Sequence, residues 1–95
     1  MRFAGKTAIV TGGASGIGAA FVRRFVAEGG SVMIAELDIE RAGALVAELG
    51  EQAACELVDV ADANAFAPLA DKAAERFGGV DILFNNAGIG NFGLT

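Results

Sequence analysis

The sequence predicts an α/β protein built on a doubly wound parallel sheet. Strand-like and helical hydrophobic patterns alternate along the chain, the connections between them are short, and a glycine-rich turn follows the first strand. This alternation favours parallel strands joined by right-handed crossovers. About four strands, paired in the order 3-2-1-4 and connected by three helices, would form an incomplete doubly wound sheet.

The hydrophobic patterns set the predicted bounds of the strands. The four predicted strands cover residues 6 to 11, 31 to 36, 53 to 58 and 80 to 84. The second is a continuous apolar run, which is typical of a strand covered on both faces.

Three segments carry the period of amphipathic helices. The first covers residues 17 to 28, and the second runs from Asp38, a capping residue, to a stop at Gly50. The third ends near Phe77, and Pro68 should mark its first turn or a kink just inside it. The apolar side chains expected on the buried faces include Ile17, Phe21, Phe25, Ile39, Ala42, Leu45, Leu69 and Ala73.

Right-handed crossovers place the first two helices on one face of the sheet and the third on the other. A single helix would leave apolar area over the first and fourth strands open to water. The fourth strand would also be an edge, with only Asp81 to discourage pairing with another chain.

The composition is that of one small globular domain. The chain has 95 residues, of which 54% are hydrophobic and 14 are glycine, and a net charge of −5. Seven scattered Lys and Arg residues argue against a nucleic-acid surface. Cys55 is the only cysteine, which we interpret as a small core residue rather than a nucleophile. Because no signal peptide or membrane span is recognisable, we expect a cytoplasmic protein.

The turn after the first strand has the chemistry of a phosphate site. From Thr11 to Gly18 it reads T-G-G-A-S-G-I-G, between a buried strand and a helix. Backbone N–H groups and the positive helix end converge there, and glycine lets the backbone approach a pyrophosphate closely. The Gly-Lys-Ser/Thr ending of a nucleoside triphosphate loop is absent, so a dinucleotide is the predicted ligand.

At these residues the sequence resembles the short-chain dehydrogenase/reductase family, whose cofactor loop reads T-G-x-x-x-G-I-G. The resemblance continues through the acidic end of the second strand, Asp59-Val60 and the N-N-A-G segment Asn85 to Gly88. It implies a Rossmann-type fold and NAD(P)-dependent oxidoreductase chemistry. It covers all 95 residues but corresponds only to the amino-terminal part of a full family member.

Glu36 ends the second strand, 18 residues after Gly18, and is predicted to bind the hydroxyls of an adenine ribose. Its carboxylate would repel a 2′-phosphate, and no basic residue stands at Ser15 or Leu37 to compensate. NAD is therefore predicted over NADP. Asp38 is the alternative ribose ligand, although a helix cap explains it as well.

Other cofactor contacts follow from the resemblance. It implies that Asp59-Val60 meets the adenine, although Asp59 could instead only cap a turn. It also implies that the loop from Asn86 to Gly88 lies along the cofactor, with Asn86 bonded to the loop containing Thr11. The predicted cofactor-binding residues are Gly12, Ser15, Gly16, Ile17, Gly18, Glu36, Asp59, Val60, Asn86, Ala87 and Gly88.

No catalytic residue and no metal ligand is predicted in this chain. The family's chemistry uses a Tyr-x-x-x-Lys pair and a Ser placed beyond this region, and the chain contains no Tyr and no His. Lys6, before the first strand, and Lys72, on the third helix, cannot replace that lysine.

We interpret residues 1 to 95 as the NAD-binding half-domain of a short-chain oxidoreductase, inactive alone. The intact protein would transfer hydride between NAD and an alcohol or carbonyl substrate, and the resemblance implies homo-oligomers for full-length relatives. A non-catalytic dinucleotide-binding or interaction module is the alternative.

Overall fold

The structure describes residues 2–12, 16–58 and 66–85 in a computed structural model. Eight segments have regular secondary structure within these ranges. In chain order they are β1 (Thr7–Thr11), α1 (Gly16–Ala27), β2 (Ser31–Glu36), α2 (Ile39–Leu49), a 3₁₀ turn (Gly50–Gln52), β3 (Ala53–Leu57), α3 (Phe66–Phe77) and β4 (Ile82–Asn85).

The four described strands form one parallel sheet in the order β3-β2-β1-β4, which confirms the predicted order. β1 lies inside the sheet, where Thr11 is in register with Ala35 of β2 and with Asn85 of β4. Both pairings are parallel, so the carboxyl ends of these strands meet at one edge.

Asp81 determines where β4 begins. Its backbone N–H donates to the Thr7 carbonyl at 2.8 Å, and its Oδ2 accepts from the Thr7 N–H at 2.9 Å. The side chain thus takes an acceptor position that a strand carbonyl would otherwise fill. The ladder starts one residue later, at Ile82, whereas the sequence predicted a strand from residue 80.

Helices α1 and α2 pack on one face of the sheet, as predicted. The buried cluster there joins Ala8 and Val10 of β1 to Val22 and Phe25 of α1 and to Leu45 of α2. Three aromatic pairs run through this layer, with ring centroids 4.5 Å apart for Phe3–Phe25, 5.5 Å for Phe21–Phe25 and 4.5 Å for Phe21–Phe84.

Helix α3 covers the other face of the sheet, where the buried cluster is smaller. Ile9 and Met33 of the sheet share a buried cluster with Leu69 and Ala73 of the helix. The prediction that area over β1 stays open is wrong, because this cluster reduces the exposure of Ile9 to 0%. On β4 the prediction is confirmed, since Leu83 is 50% exposed.

Cys55 lies on β3, at the edge of the described sheet, where it is half-buried and packs against the buried cluster beneath α1 and α2. An edge strand has a neighbour on one side only, which leaves such a side chain partly open. Burial, with a smaller contribution from the Glu56 carboxylate, raises the pKa of the Cys55 thiol above its ordinary value.

We expect Gly30→Ala to destabilise the fold. A Cβ at Gly30 would overlap Cδ2 and Cε2 of Phe25, whose side chain is 1% exposed and cannot move away freely. Overpacking of this kind costs about 1–3 kcal/mol. Gly43→Ala is the matched control, because its Cβ would meet nothing within 4 Å and alanine favours helix α2 by about 0.5–1 kcal/mol. Urea denaturation measures both, and equal stability of the two variants would contradict this packing.

We expect Cys55 to react slowly with iodoacetamide near neutral pH. A raised pKa leaves little thiolate, and thiolate is the reactive form. The alkylation rate of the folded protein should rise at a higher pH than that of the urea-unfolded chain. Glu56→Gln should shift this rise only part of the way back to lower pH, since burial is the larger cause of the raised pKa. A folded profile that coincides with the unfolded one would contradict the shift.

Candidate functional site

The turn from β1 into α1 lies at the carboxyl edge of the sheet. The Gly12 N–H donates to the Ala35 carbonyl at 2.9 Å, which continues the pairing of β1 with β2 one residue beyond the strand. Helix α1 then begins at Gly16, and its first turn contains no acidic side chain. The positive end of this helix is therefore not neutralised by its own residues.

Gly16 has the backbone conformation that a close phosphate approach uses. Its φ is +55°, in the left-handed region that side chains disfavour, and a Cβ built there would meet nothing within 4 Å. The space beside Gly16 is open, so a ligand could lie against the backbone. Gly18, one helical position beyond Ile17, is buried and faces the sheet.

Glu36 occupies the next strand at the same edge. It directly follows Ala35, the residue that pairs with Gly12, and adjacent strands lie about 4.8 Å apart. Its half-buried side chain turns back on the chain, with Oε2 accepting from the N–H of Leu37 at 3.2 Å and of Asp38 at 3.4 Å. A carboxylate has about four acceptor positions, so these bonds are compatible with a hydroxyl ligand.

Asp38 acts as the cap of α2, as predicted. Its Oδ1 accepts from the Arg41 N–H at 3.1 Å, and its Oδ2 lies 3.6 Å from the Arg41 Nε. Glu40 adds a second acidic residue to the first turn of this helix. The amino end of α2 is therefore already compensated by carboxylates, in contrast with that of α1.

Exposed apolar side chains accumulate at this edge. Ile17 is 69% exposed, Leu37 62% and Leu57 63%, and they stand at the start of α1 and at the ends of β2 and β3. Ile17 and Ile39, at the first turns of their helices, were expected to face the core, but their side chains are 69% and 41% exposed. Leu37 and Leu57 were missed as site residues. An apolar residue at the polar end of a strand is the signal that could have identified them.

The remaining predicted cofactor contacts follow the described strands in the sequence. Asn85, at the end of β4, is in register with Thr11 at the end of β1. The predicted ligands Ser15, Asp59, Val60, Asn86, Ala87 and Gly88 lie outside the described residues.

The described part of this edge offers backbone N–H groups, a carboxylate and apolar surface, which together suit a ligand with phosphates, hydroxyls and a flat ring. In residues 2–12, 16–58 and 66–85, no group of three or more His, Cys, Asp or Glu side chains could hold a metal ion. Over the same ranges, no helix is long and apolar enough to cross a membrane.

Comparison with known proteins agrees with this geometry. Momilactone A synthase from Oryza sativa subsp. japonica is 45% identical over 89 residues, which are 93% of this chain and 32% of that protein. Sorbitol dehydrogenase from Cereibacter sphaeroides is 43% identical over 94% of this chain and 35% of its own length. The chain thus spans about a third of the length of these curated relatives.

Solved structures give the same result. A short-chain dehydrogenase/reductase described as glucose/ribitol dehydrogenase, from Brucella melitensis, matches with a TM-score of 0.82 and 35% identity, over 87% of this chain and 36% of that one. A 3-ketoacyl-(acyl-carrier-protein) reductase from Brucella melitensis, complexed with NADH, matches with a TM-score of 0.80 and 32% identity, over 84% of this chain and 33% of that one.

The family model described as short chain dehydrogenase matches residues 6–95, almost the whole chain. The glycine turn, the acidic end of β2 and the strand order 3-2-1-4 are therefore those of a nicotinamide dinucleotide fold, and this chain belongs to the short-chain dehydrogenase family.

Proposed function

We propose that residues 1 to 95 are the NAD-binding portion of an oxidoreductase that transfers hydride between NAD and an alcohol or carbonyl substrate. The open left-handed backbone at Gly16, at the start of a helix whose first turn contains no acidic side chain, is the observation that carries the proposal. A similar solved structure that is complexed with NADH supports it. NAD supplies the hydride acceptor, and the residues described here bind and orient it.

The pyrophosphate would lie against the turn from Gly12 to Gly18. A side chain at Gly16 would project into the open space that the phosphates need, which explains why glycine suits this position. The buried Gly18 brings α1 close to the sheet and directs its amino end at the same space. Ser15 would add a hydroxyl donor to the backbone donors.

The adenosine half would extend over the ends of β2 and β3. Glu36 would accept from the ribose hydroxyls, while the exposed Leu37 and Leu57 would offer apolar surface to the adenine ring. Asp59 and Val60 come directly after this surface along the chain. In that place the Asp59 carboxylate could accept from the adenine amine.

The nicotinamide half would extend toward the end of β4. The register of Asn85 with Thr11 supports a position for Asn86, Ala87 and Gly88 beside the glycine turn. These residues would orient the cofactor, and an amide side chain would not exchange protons near neutral pH. The acid/base groups would come from outside residues 1 to 95, since these contain no Tyr and no His.

The catalytic interpretation is favoured over a non-catalytic dinucleotide-binding module by the relatives, several of which are dehydrogenases by name. A cytoplasmic location and homo-oligomeric assembly stay predictions from the sequence.

We expect NAD to bind about tenfold more tightly than NADP. The Glu36 carboxylate would repel a 2′-phosphate by roughly 1–2 kcal/mol after screening. The nearest following basic residue, Arg41, is paired with Asp38 at 3.6 Å. Calorimetric titration of both cofactors measures the preference, and Glu36→Gln should remove most of it.

Asp38→Asn is the control for this experiment, because asparagine caps a helix as well as aspartate does. It should leave the preference for NAD unchanged. If Asp38→Asn removes the preference and Glu36→Gln does not, Asp38 is the ribose ligand.

We expect Gly16→Val to weaken NAD binding by at least about tenfold, because its side chain would occupy the pyrophosphate space. Gly78→Val is the matched control, since Gly78 also has a positive φ, +92°, and also has nothing within 4 Å of a built Cβ. Both variants carry backbone strain, but Gly78 lies after α3, away from this edge. Binding is measured by calorimetry and folding by circular dichroism. A folded Gly16→Val that binds like the wild type would reduce the glycine turn to a structural role.

A further inference from the structure

Four phenylalanine rings form a continuous stack along helix α1. Phe25 contacts Phe3 and Phe21, and Phe21 contacts Phe84, with neighbouring centroids 4.5–5.5 Å apart and interplanar angles of 22–27°. We call these residues the phenylalanine stack. Only Phe25 is fully buried, and the other three are half-buried against the same cluster.

The stack connects the two edges of the sheet. α1 runs antiparallel to β1, so its amino end lies at the carboxyl edge and its carboxyl end at the amino edge. Phe3 contacts the second half of the helix, where its N–H also donates to the Glu28 carbonyl at 2.9 Å. Phe84 contacts the first half, through Phe21, and is followed directly by Asn85 at the end of β4.

Phe84 is therefore an aromatic contact between β4 and the first half of α1, a helix that packs on β1 and β2 through buried side chains such as Val22. On its other side, α1 is joined to α2 by the Arg23–Glu48 ion pair at 2.8 Å, where both side chains are at least half exposed. An exposed pair of this kind constrains a helix weakly. A stacked aromatic pair at 4.5 Å has a defined geometry and adds stability beyond its buried area.

We propose that Phe84, through Phe21, is a positioning residue that sets the spacing between the amino end of α1 and the carboxyl end of β4. The inference rests on the proposed function, in which the cofactor lies between those two elements. A ligand that contacts both must find them at the correct separation when it binds, and a fixed spacing lowers the cost of ordering them.

The test compares Phe84→Leu with Phe3→Leu in the protein expressed from its complete coding sequence. Each change removes a phenylalanine ring that stacks on a ring of α1 with centroids 4.5 Å apart, so both should lower the melting temperature to a similar extent. NADH binding is titrated at a temperature where circular dichroism shows each variant folded. Phe84→Leu should weaken binding about three- to tenfold, and Phe3→Leu should change it less than about twofold.

Two further measurements separate positioning from general stability. Phe84→Tyr keeps the ring and should restore wild-type affinity. Without any cofactor, hydrogen exchange in the first half of α1 should be faster in Phe84→Leu than in Phe3→Leu, because only the first loses the contact at that end. If Phe84→Leu does not fold, Phe21→Leu removes the same pair together with the Phe21–Phe25 pair, so it should lower stability further and carry the same expectations for binding and exchange.

Each outcome decides the proposal. Equal affinities of Phe84→Leu and wild type, equal losses in Phe84→Leu and Phe3→Leu, or unchanged exchange in the first half of α1 would overturn it. A wild-type protein that binds no NADH would instead overturn the proposed function, and the positioning role with it.

Discussion

The burial of β1 between two parallel neighbours is the constraint on which the rest of the structure depends. Its residues Thr7 to Thr11 are all buried, and it pairs with β2 on one side and β4 on the other. Because both pairings are parallel, the chain must leave β1, β2 and β4 at the same edge. Every feature of the candidate site is a consequence of that shared exit.

The carboxylates of this chain show how local context assigns a role to a residue type. Asp38 satisfies the amino end of α2, and Asp81 satisfies the amino end of β1 by accepting from Thr7. Glu36 accepts from the N–H groups of Leu37 and Asp38, the two residues that follow it, at 3.2 and 3.4 Å. The same residue type thus caps a helix, completes a strand ladder or closes a local turn, depending on the N–H groups within its reach.

The strand order and the layering of the helices could be predicted because they depend on hydrophobic period and on the handedness of crossovers. Both act through long runs of residues and are insensitive to any one side chain. The capping role of Asp38 was equally accessible, since a cap depends on residues within one turn. The ribose-binding role of Glu36, at the acidic end of β2, stays a prediction.

The features that the sequence did not predict depend on how the helices and strands pack against one another. Ile17 continues the apolar stripe of α1 but is 69% exposed, and Cys55 packs against the core but stays half-buried because it lies on an edge strand. The late start of β4 depends on a bond between residues 74 positions apart in the chain. Such features follow from tertiary packing, which periodicity in a single sequence does not contain.

The packing of Phe25 against Gly30 has a consequence for how this sequence can change. The ring occupies the volume that any side chain at position 30 would need, and the backbone N–H of Gly30 donates to the Phe25 carbonyl at 3.0 Å. Position 30 can therefore not gain a side chain while Phe25 is retained. A relative with a small residue at position 25 is free to carry a side chain at position 30, so in this lineage we expect the two positions to be substituted together.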